Sequence, residues 1–513
     1  MTATVPSVDT SPRTQTTSPA STTRTGRPRA PGGPGLRRKA GKPTAITLTI
    51  MAAILIGEIG LIFSGALTTK LQVALVCLVL LLTLMAWRVP IAVAMGVAGL
   101  LGIWRISGTS VVERSLVDLP AANAASWSLS VIPMFIFMGL LLWKSGATTR
   151  IFDAARAWLN WLPGGLAVTT NMAGAGLAAA SGSTIGIAYA ISRIGIPEML
   201  KSGYDRRLAL GSVIMAGLPG QLIPPSLLLV VYAGIANLPV GPQLLAGVVP
   251  GILLALVVNV AIIVLAIIFP SIAGEKLPSV GWRARWASLG QVWPLPILVT
   301  VILGGMYGGF FTATEAAAIG CVGAMVITLF YKGREFLPTI GSALAGTVYA
   351  TGGVFFLLIG AAFITRMLAL SGIPFLFTEW IDTMGLTSTQ FVLAALIIMI
   401  ILGMFMDPIS LMLLSIPVML PTLNALDVDL VWFGVLTVLA AEVGMLTPPV
   451  GVLVFLVHKI AQNRDVNLGQ RITLGNVFTA ALLGIPLALL VIGLIMLFPE
   501  LATWLVTSGN AAA

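Results

Sequence analysis

Apolar residues run along this chain in blocks that begin at Thr44 and recur almost to the last residue, with short polar or glycine-rich stretches between them. Blocks of about twenty apolar residues span a bilayer as α-helices. Strict alternation of apolar and polar positions, the mark of a barrel strand, is missing. Residues 44–66 open the series with a lone acid, Glu58. Residues 71–104 read as two shorter pieces hinged at "WRVP", followed by a polar stretch to Ser126. Further spans are expected at 129–143, 244–269, 294–311, 316–331, 344–370 and 477–505. The pattern predicts an all-α polytopic membrane protein.

Four blocks depart from simple spans. Residues 164–199 are rich in Gly, Ala, Ser and Thr, with a turn signal at "SGST", which predicts a re-entrant helical hairpin. "PGQLIPPSLLL" breaks the block at 208–236, and "VGMLTPPVGVL" breaks the block at 432–457. Adjacent prolines remove backbone donors and stop a helix. At membrane depth such a break survives only inside protein or beside a watery cavity. Residues 391–406 lead into "DPISLMLLSIPVMLP", a second predicted hairpin at about 406–421.

These departures repeat. Pro224-Pro225 and Pro448-Pro449 lie 224 residues apart, "LLLWKSG" echoes "MLALSG", and "IGIPEML" echoes "LSIPVML". Each half therefore runs span, Ser-Gly turn, hairpin ending in Ile-Pro, broken helix. Matching broken segments in two halves point to a transport site near the bilayer midplane.

Composition sharpens this picture. Only 9% of the 513 residues are charged, and 55 glycines and 31 prolines suit close helix packing and helix breaks. The net charge of +10 is mostly local: residues 1–45 carry eight Lys/Arg, one acid (Asp9) and seven prolines. That composition predicts a disordered tail, held in the cytoplasm by "GLRRKAGK" rather than bound to nucleic acid. Cys77 and Cys321 read as small buried residues, not as a disulfide. One histidine (His458), no Gly-x-Ser-x-Gly and no His-Glu-x-x-His argue against an enzyme, a metal centre or a cofactor.

The motifs "SWSLSVIPMFIFMGLLLWKSG", "LPGGLAV", "ASGST", "GYDRRLALG", "GQLIPPS", "FTATEAAAIG", "LGMFMDPIS" and "EVGMLTPPVG" resemble, in order, the large membrane subunit of tripartite ATP-independent periplasmic (TRAP) transporters. The likeness covers residues 71–498. It implies an inverted-repeat, elevator-type secondary transporter with two re-entrant hairpins and two Pro-Pro broken helices, driven by a Na⁺ gradient. It also implies a separate small four-span membrane subunit, a periplasmic binding protein that delivers an organic acid of dicarboxylate type, and a place in the bacterial inner membrane. The chain departs from the family pattern in its tail and first span, at Arg193 in "ISRIGIP" and at Arg366 in "FITRMLAL".

On this reading the chain divides into a basic cytoplasmic tail (1–45), an extra transmembrane helix (46–66), a first half (71–270), an interfacial connector (271–290) and a second half (291–505). By resemblance, each hairpin tip with its broken helix forms one cation site. Ser181, Gly182, Ser183, Thr184 and Pro224 belong to the first, and Gly403, Asp407, Thr447 and Pro448 to the second. Hydroxyls and unwound carbonyls suit a monovalent ion that must also leave. Arg193, Arg366, Pro225, Ser410 and Pro449 are the expected substrate contacts, because arginine holds a carboxylate with paired hydrogen bonds. Asp407 equally reads as the N-cap of a helix starting at Pro408, and Glu315 and Glu442 are further acids at membrane depth. The competing reading is a stand-alone cation-coupled carboxylate carrier that needs no binding protein.

Overall fold

The computed structural model describes residues 45–181, 184–274 and 280–509, with the backbone only at 45–48, 50–51 and 178–181. The proposed tail at 1–45 thus lies almost wholly outside the described residues. By contacts the chain divides into residues 1–50 and a unit from Met51 to Ala513, and the second unit holds both halves of the repeat.

The described residues form α-helices and short 3₁₀ turns, with no strand beyond the isolated bridge Tyr204–Ala273. The first group comprises α1 (Ala45–Phe63), α2 (Lys70–Ala86), α3 (Ile91–Ser107), α4 (Thr109–Ala124), α5 (Val131–Lys144) and α6 (Ala147–Leu159). Next come α7 (Gly165–Ser181), α8 (Thr184–Lys201), α9 (Arg206–Ala216), α10 (Leu227–Ala236), α11 (Val240–Ala246) and α12 (Val248–Ile268). The connector leads through α13 (Trp282–Val292) and α14 (Pro294–Tyr307) to α15 (Ala313–Lys332) and the long α16 (Phe336–Ser371). Then come α17 (Ile373–Thr383), α18 (Ser388–Gly403), α19 (Pro408–Ala425), α20 (Leu430–Leu446) and α21 (Val452–Ala461). A single turn, α22 (Arg464–Asn467), precedes α23 (Leu474–Leu497) and α24 (Glu500–Ser508).

Local chemistry sets many of these boundaries. Thr69, Thr312, Thr387 and Thr473 each close a reciprocal capping box with the residue three places on (Gln72, Glu315, Gln390 and Asn476). Asp205, Asp407 and Asp429 cap α9, α19 and α20 through side-chain oxygens. Arg105 donates to the carbonyls of Ile62 and Leu67, both at 3.1 Å, fastening the end of α1 to α3. Buried Glu58 accepts from the Thr83 hydroxyl at 2.8 Å.

The repeat is visible bond by bond. Ser145 Oγ donates to the Leu142 carbonyl and Ser371 Oγ to the Leu368 carbonyl, each at 2.7 Å. The glycines that come next, Gly146 and Gly372, take φ of +85° and +77°, a conformation that glycine enters at little cost. Pro197 lies inside α8 and Pro417 inside α19. Both Pro224-Pro225 and Pro448-Pro449 are cis.

One expectation needs correction. The stretch 406–421 is not itself a hairpin: residues 408–425 form the single helix α19, and the bend falls at 404–407, with α18 as the other arm. Asp407 and Pro408 are helix-start signals, so the turn must precede them; Pro417 and Pro421 sit within the helix. The polar stretch after α3 is also helical, as α4. Among the described residues, 240–268, 313–371, 408–425 and 474–497 are apolar and long enough to cross a bilayer. The bent pairs at 109–144 (56°) and 282–307 (53°) add two further spans if each counts as one.

Candidate functional site

The first break begins where α9 ends at Ala216 and closes where α10 starts at Leu227. Pro224 and Pro225 are buried and have no N–H to donate. Ser226 restarts the helix: its hydroxyl accepts from the Leu229 amide at 3.2 Å and donates to the Gln221 carbonyl. The second break runs from Thr447 to Gly451, with the Thr447 hydroxyl turned back onto the Val443 carbonyl at 2.7 Å. Pro448 is half-buried and Pro449 exposed. No close backbone hydrogen bond between described residues ends on the carbonyl oxygens of residues 223–225 or 447–449, although 448–450 form a turn. Each break therefore presents a short row of unused acceptors.

The hairpins, α7–α8 and α18–α19, pack on the helices that lead into these breaks, α9 and α20. Thr184 starts α8 and lies against Gly217, where an added Cβ would sit 2.8 Å from Thr184 Cγ2. In the second half Gly403, the last residue of α18, crosses α20 at Gly444, whose added Cβ would sit 2.8 Å from Gly403 Cα. Each hairpin thus packs on the broken helix of its own half. A second pairing runs between halves: α8 packs on α21, and α19 packs on α10. The Thr184 hydroxyl also lies 3.0 Å from both carboxylate oxygens of Glu442 on α20.

The remaining predicted residues separate. Ser181's side chain, Gly182 and Ser183 lie outside the described residues. Asp407 is a cap, with one oxygen 3.0 Å from the Ser410 amide and the other accepting from the buried Ser410 hydroxyl at 2.6 Å. Glu315 is held in its capping box with Thr312, accepting from that residue's amide at 2.8 Å. Arg193 is exposed, its guanidinium over the Tyr189 ring and 3.2 Å from the Tyr189 hydroxyl. Arg366 is exposed on α16, and no hydrogen bond or ion pair among the described residues joins either arginine to the breaks. His458 lies in the last turn of α21, with its ring Nδ1 3.3 Å from Gln462.

Sequence reasoning missed a set of buried polar groups around hairpin 1. Side-chain atoms of Thr169, Asn171, Ser192 and Gln221 are buried without a hydrogen-bond partner among the described residues. Such a group costs roughly 1–3 kcal/mol in proteins unless water or a ligand satisfies it. Small polar residues at helical spacing in "AVTTNMAGAG" were the available signal. Two cavities flank the Ser-Gly turns. One, of about 490 Å³, is bordered by Trp143, Thr148, Ile185, Tyr189 and Leu456; the other, of about 470 Å³, by Thr365, Phe375, Thr378 and Pro417.

Residues 78–501 match the family model described as the tripartite ATP-independent periplasmic transporter, DctM component. The chain belongs to this family. The C4-dicarboxylate TRAP transporter large permease protein DctM of Vibrio cholerae is 33% identical, over 84% of this chain and 96% of its own length. Its namesake from Pseudomonas aeruginosa is 34% identical, over 72% and 85%. The sialic acid TRAP transporter large permease protein SiaM of Vibrio cholerae is 28% identical, over 65% and 78%. In fold, the solved YdaH transporter of Alcanivorax borkumensis is similar with a TM-score of 0.57, over 79% of this chain and 90% of that one, at 14% identity.

As a DctM component, the chain is a multi-pass membrane permease of a tripartite transporter, not an enzyme. The DctM match begins inside α2 and takes in both hairpins and both breaks, whereas α1 precedes it.

Proposed function

We propose that this DctM component takes up an organic acid across the bacterial inner membrane, driven by Na⁺ and fed by a periplasmic binding protein, together with a small four-span subunit. The observation that carries this reading is the pair of acceptor rows at 223–225 and 447–449, each following a helix on which the hairpin of the same half packs. Neutral oxygens bind a monovalent cation without the desolvation cost of a charged cage, and helix ends beside them suit an anionic substrate. Thr184 and Pro224, with Ser181, Gly182 and Ser183, serve the first cation; Gly403, Asp407, Thr447 and Pro448 serve the second. Arg193 holds Tyr189 at the edge of one cavity, which supports it as a partner for a substrate carboxylate, and Arg366 takes the same role in the second half. Pro225, Ser410 and Pro449 complete the substrate contacts.

Relatives named for C4-dicarboxylates, isethionate, sialic acid and ectoine leave the acid's identity to experiment. The hairpins move as units against the rest of the protein in an elevator cycle, and the basic N-terminus lies in the cytoplasm. The deciding experiment reconstitutes the chain with a small subunit in proteoliposomes and supplies labelled organic acids. Uptake is expected only with both a Na⁺ gradient and one binding protein. Uptake with Na⁺ alone would instead identify a stand-alone carrier, and uptake indifferent to Na⁺ would remove the cation sites.

Asp407 allows a finer test. Asp407→Asn keeps an oxygen for the Ser410 amide, because asparagine caps helices as well as aspartate does. The variant is expected to fold with wild-type yield yet need at least about tenfold more Na⁺ for half-maximal uptake, a loss of about 1.4 kcal/mol in binding. An unchanged Na⁺ dependence would leave Asp407 as a cap alone.

A further inference from the structure

Helix α13 turns three large aromatic rings outward. Trp282, Trp286, Leu289 and Trp293 follow one another at spacings of four, three and four residues, which lines them up on one side of the helix. The tryptophans are 65%, 62% and 57% exposed. We propose that α13 is a binding surface for anionic phospholipid: its tryptophan side enters the headgroup region of the bilayer, and Arg283 and Arg285 hold the lipid phosphate. This surface stands independently of what the protein transports.

Its direction sets its depth. The apolar α14 follows directly after Trp293, and α13 meets it at a bend of 53°, so the chain turns as it leaves the span. Two arginines in eleven residues keep α13 out of the hydrocarbon. Its tryptophans are the side chains that a bilayer holds at headgroup level. The helix is also clamped. The Trp158 ring on α6 meets those of Trp282 and Trp286 nearly at right angles, with centroids 6.3 and 5.6 Å away. Trp158 Nε1 donates to the Arg285 carbonyl at 3.1 Å, and the Tyr331 hydroxyl of α15 donates to the Gln291 carbonyl.

Charge selects the occupant. Arg283 comes one residue after Trp282 and Arg285 one before Trp286, so the two fall on either side of the tryptophan stripe. Arg283 is exposed, and its guanidinium has no hydrogen bond or ion pair among the described residues. The Arg285 guanidinium lies 5.1 Å from the centroid of the Trp282 ring, and its Nε is buried without a partner among the described residues. A guanidinium offers paired N–H groups that fit two oxygens of a phosphate. The acids close by already have cations: Glu198 has Arg156 and Lys201, Asp153 lies beside Arg156, and Glu335 has Lys332. Arg150, 4.3 Å over the Tyr331 ring, adds a further positive charge. This excess favours a headgroup with net negative charge over a zwitterionic one, whose ammonium it would repel, and it assigns α13 to the cytoplasmic leaflet.

The position of α13 gives the bound lipid a structural consequence. The helix on which α13 rests, α6, packs on α7, and Arg156 of α6 pairs with Glu198 of α8 at 3.2 Å. A headgroup held by Arg283 and Arg285 therefore sits one helix away from hairpin 1, and it fixes the depth of α6 in the bilayer.

The test uses the full chain purified in detergent, dioleoylphosphatidylglycerol as the probe and native mass spectrometry as the readout. Wild type is expected to bind phosphatidylglycerol more tightly than dioleoylphosphatidylcholine. The double variant Arg283→Gln/Arg285→Gln is expected to lose affinity for phosphatidylglycerol at least about tenfold, as the removal of two charges from an anionic surface dictates. Its binding of phosphatidylcholine should not change. Arg114→Gln, exposed on α4, is the control and should match wild type. An unchanged affinity in the double variant, an equal loss in the control, or equal binding of the two lipids by wild type overturns the proposal. So does displacement of the lipid by inorganic phosphate, which would make this a site for soluble anions. Loss of the lipid on assembly with the small subunit also overturns it, since α13 would then be a protein interface. If the double variant does not fold, Arg283→Gln decides alone, with an expected loss of about fivefold.

Discussion

Replacing Pro448 and Pro449 together with alanine is expected to lower uptake at least about tenfold per folded molecule, equivalent to about 1.4 kcal/mol. Alanine restores two backbone donors and the strongest helix propensity, so α20 can continue through the break into α21. The carbonyls of residues 447–449 would then be consumed by amides further along the helix instead of standing free. Folding should suffer less than transport, because Pro449 is exposed and Pro448 only half-buried. The measurement is initial uptake rate normalised to monodisperse protein on size exclusion. Equal rates for variant and wild type would show that the free acceptors serve no ion or substrate. The matching change at Pro224 and Pro225 should act in the same direction, with a greater folding cost because both prolines are buried.

Gly444→Ala is expected to strike stability instead. Its Cβ would sit 2.7 Å from the Ile400 carbonyl oxygen and 2.8 Å from Gly403 Cα, both backbone atoms that no rotamer change can remove. The helices α18 and α20 must separate, and overpacking of this kind costs about 1–3 kcal/mol. Gly341→Ala is the control: it is exposed on α16, and an added Cβ would meet nothing within 4 Å. Helix propensity alone should make that change neutral or stabilising by about 0.5–1 kcal/mol. Thermal unfolding in detergent separates the two. A Gly444→Ala variant that melts with the wild type would contradict the close crossing.

What the sequence made legible was local. The Pro-Pro breaks and Ser-Gly turns are backbone constraints carried by two residues each, so their spacing alone exposes the repeat. Glu315 can be read as a helix-start acid because its partner, Thr312, is three residues away. Hairpin 2 is misplaced when Pro417 is taken as an end mark, because the stronger signal, Asp407 before Pro408, puts the turn ahead of it. Glu442 stands in the sequence as one acid among several. Its partner lies 258 residues away on another element, and no local pattern announces such a contact. The same holds for the packing of α8 on α21 and α19 on α10, which exists only once both halves are assembled.

That exchange of second arms bears on how such a chain could have arisen. A single half, made alone, would keep its hairpin on its own broken helix but lose the packing that the other half gives to the second arm of the hairpin and to the far segment of the broken helix. Two copies would supply each other with both. Two separate halves would therefore bury more surface together than apart, and the connector through α13 and α14 holds that pairing in one chain.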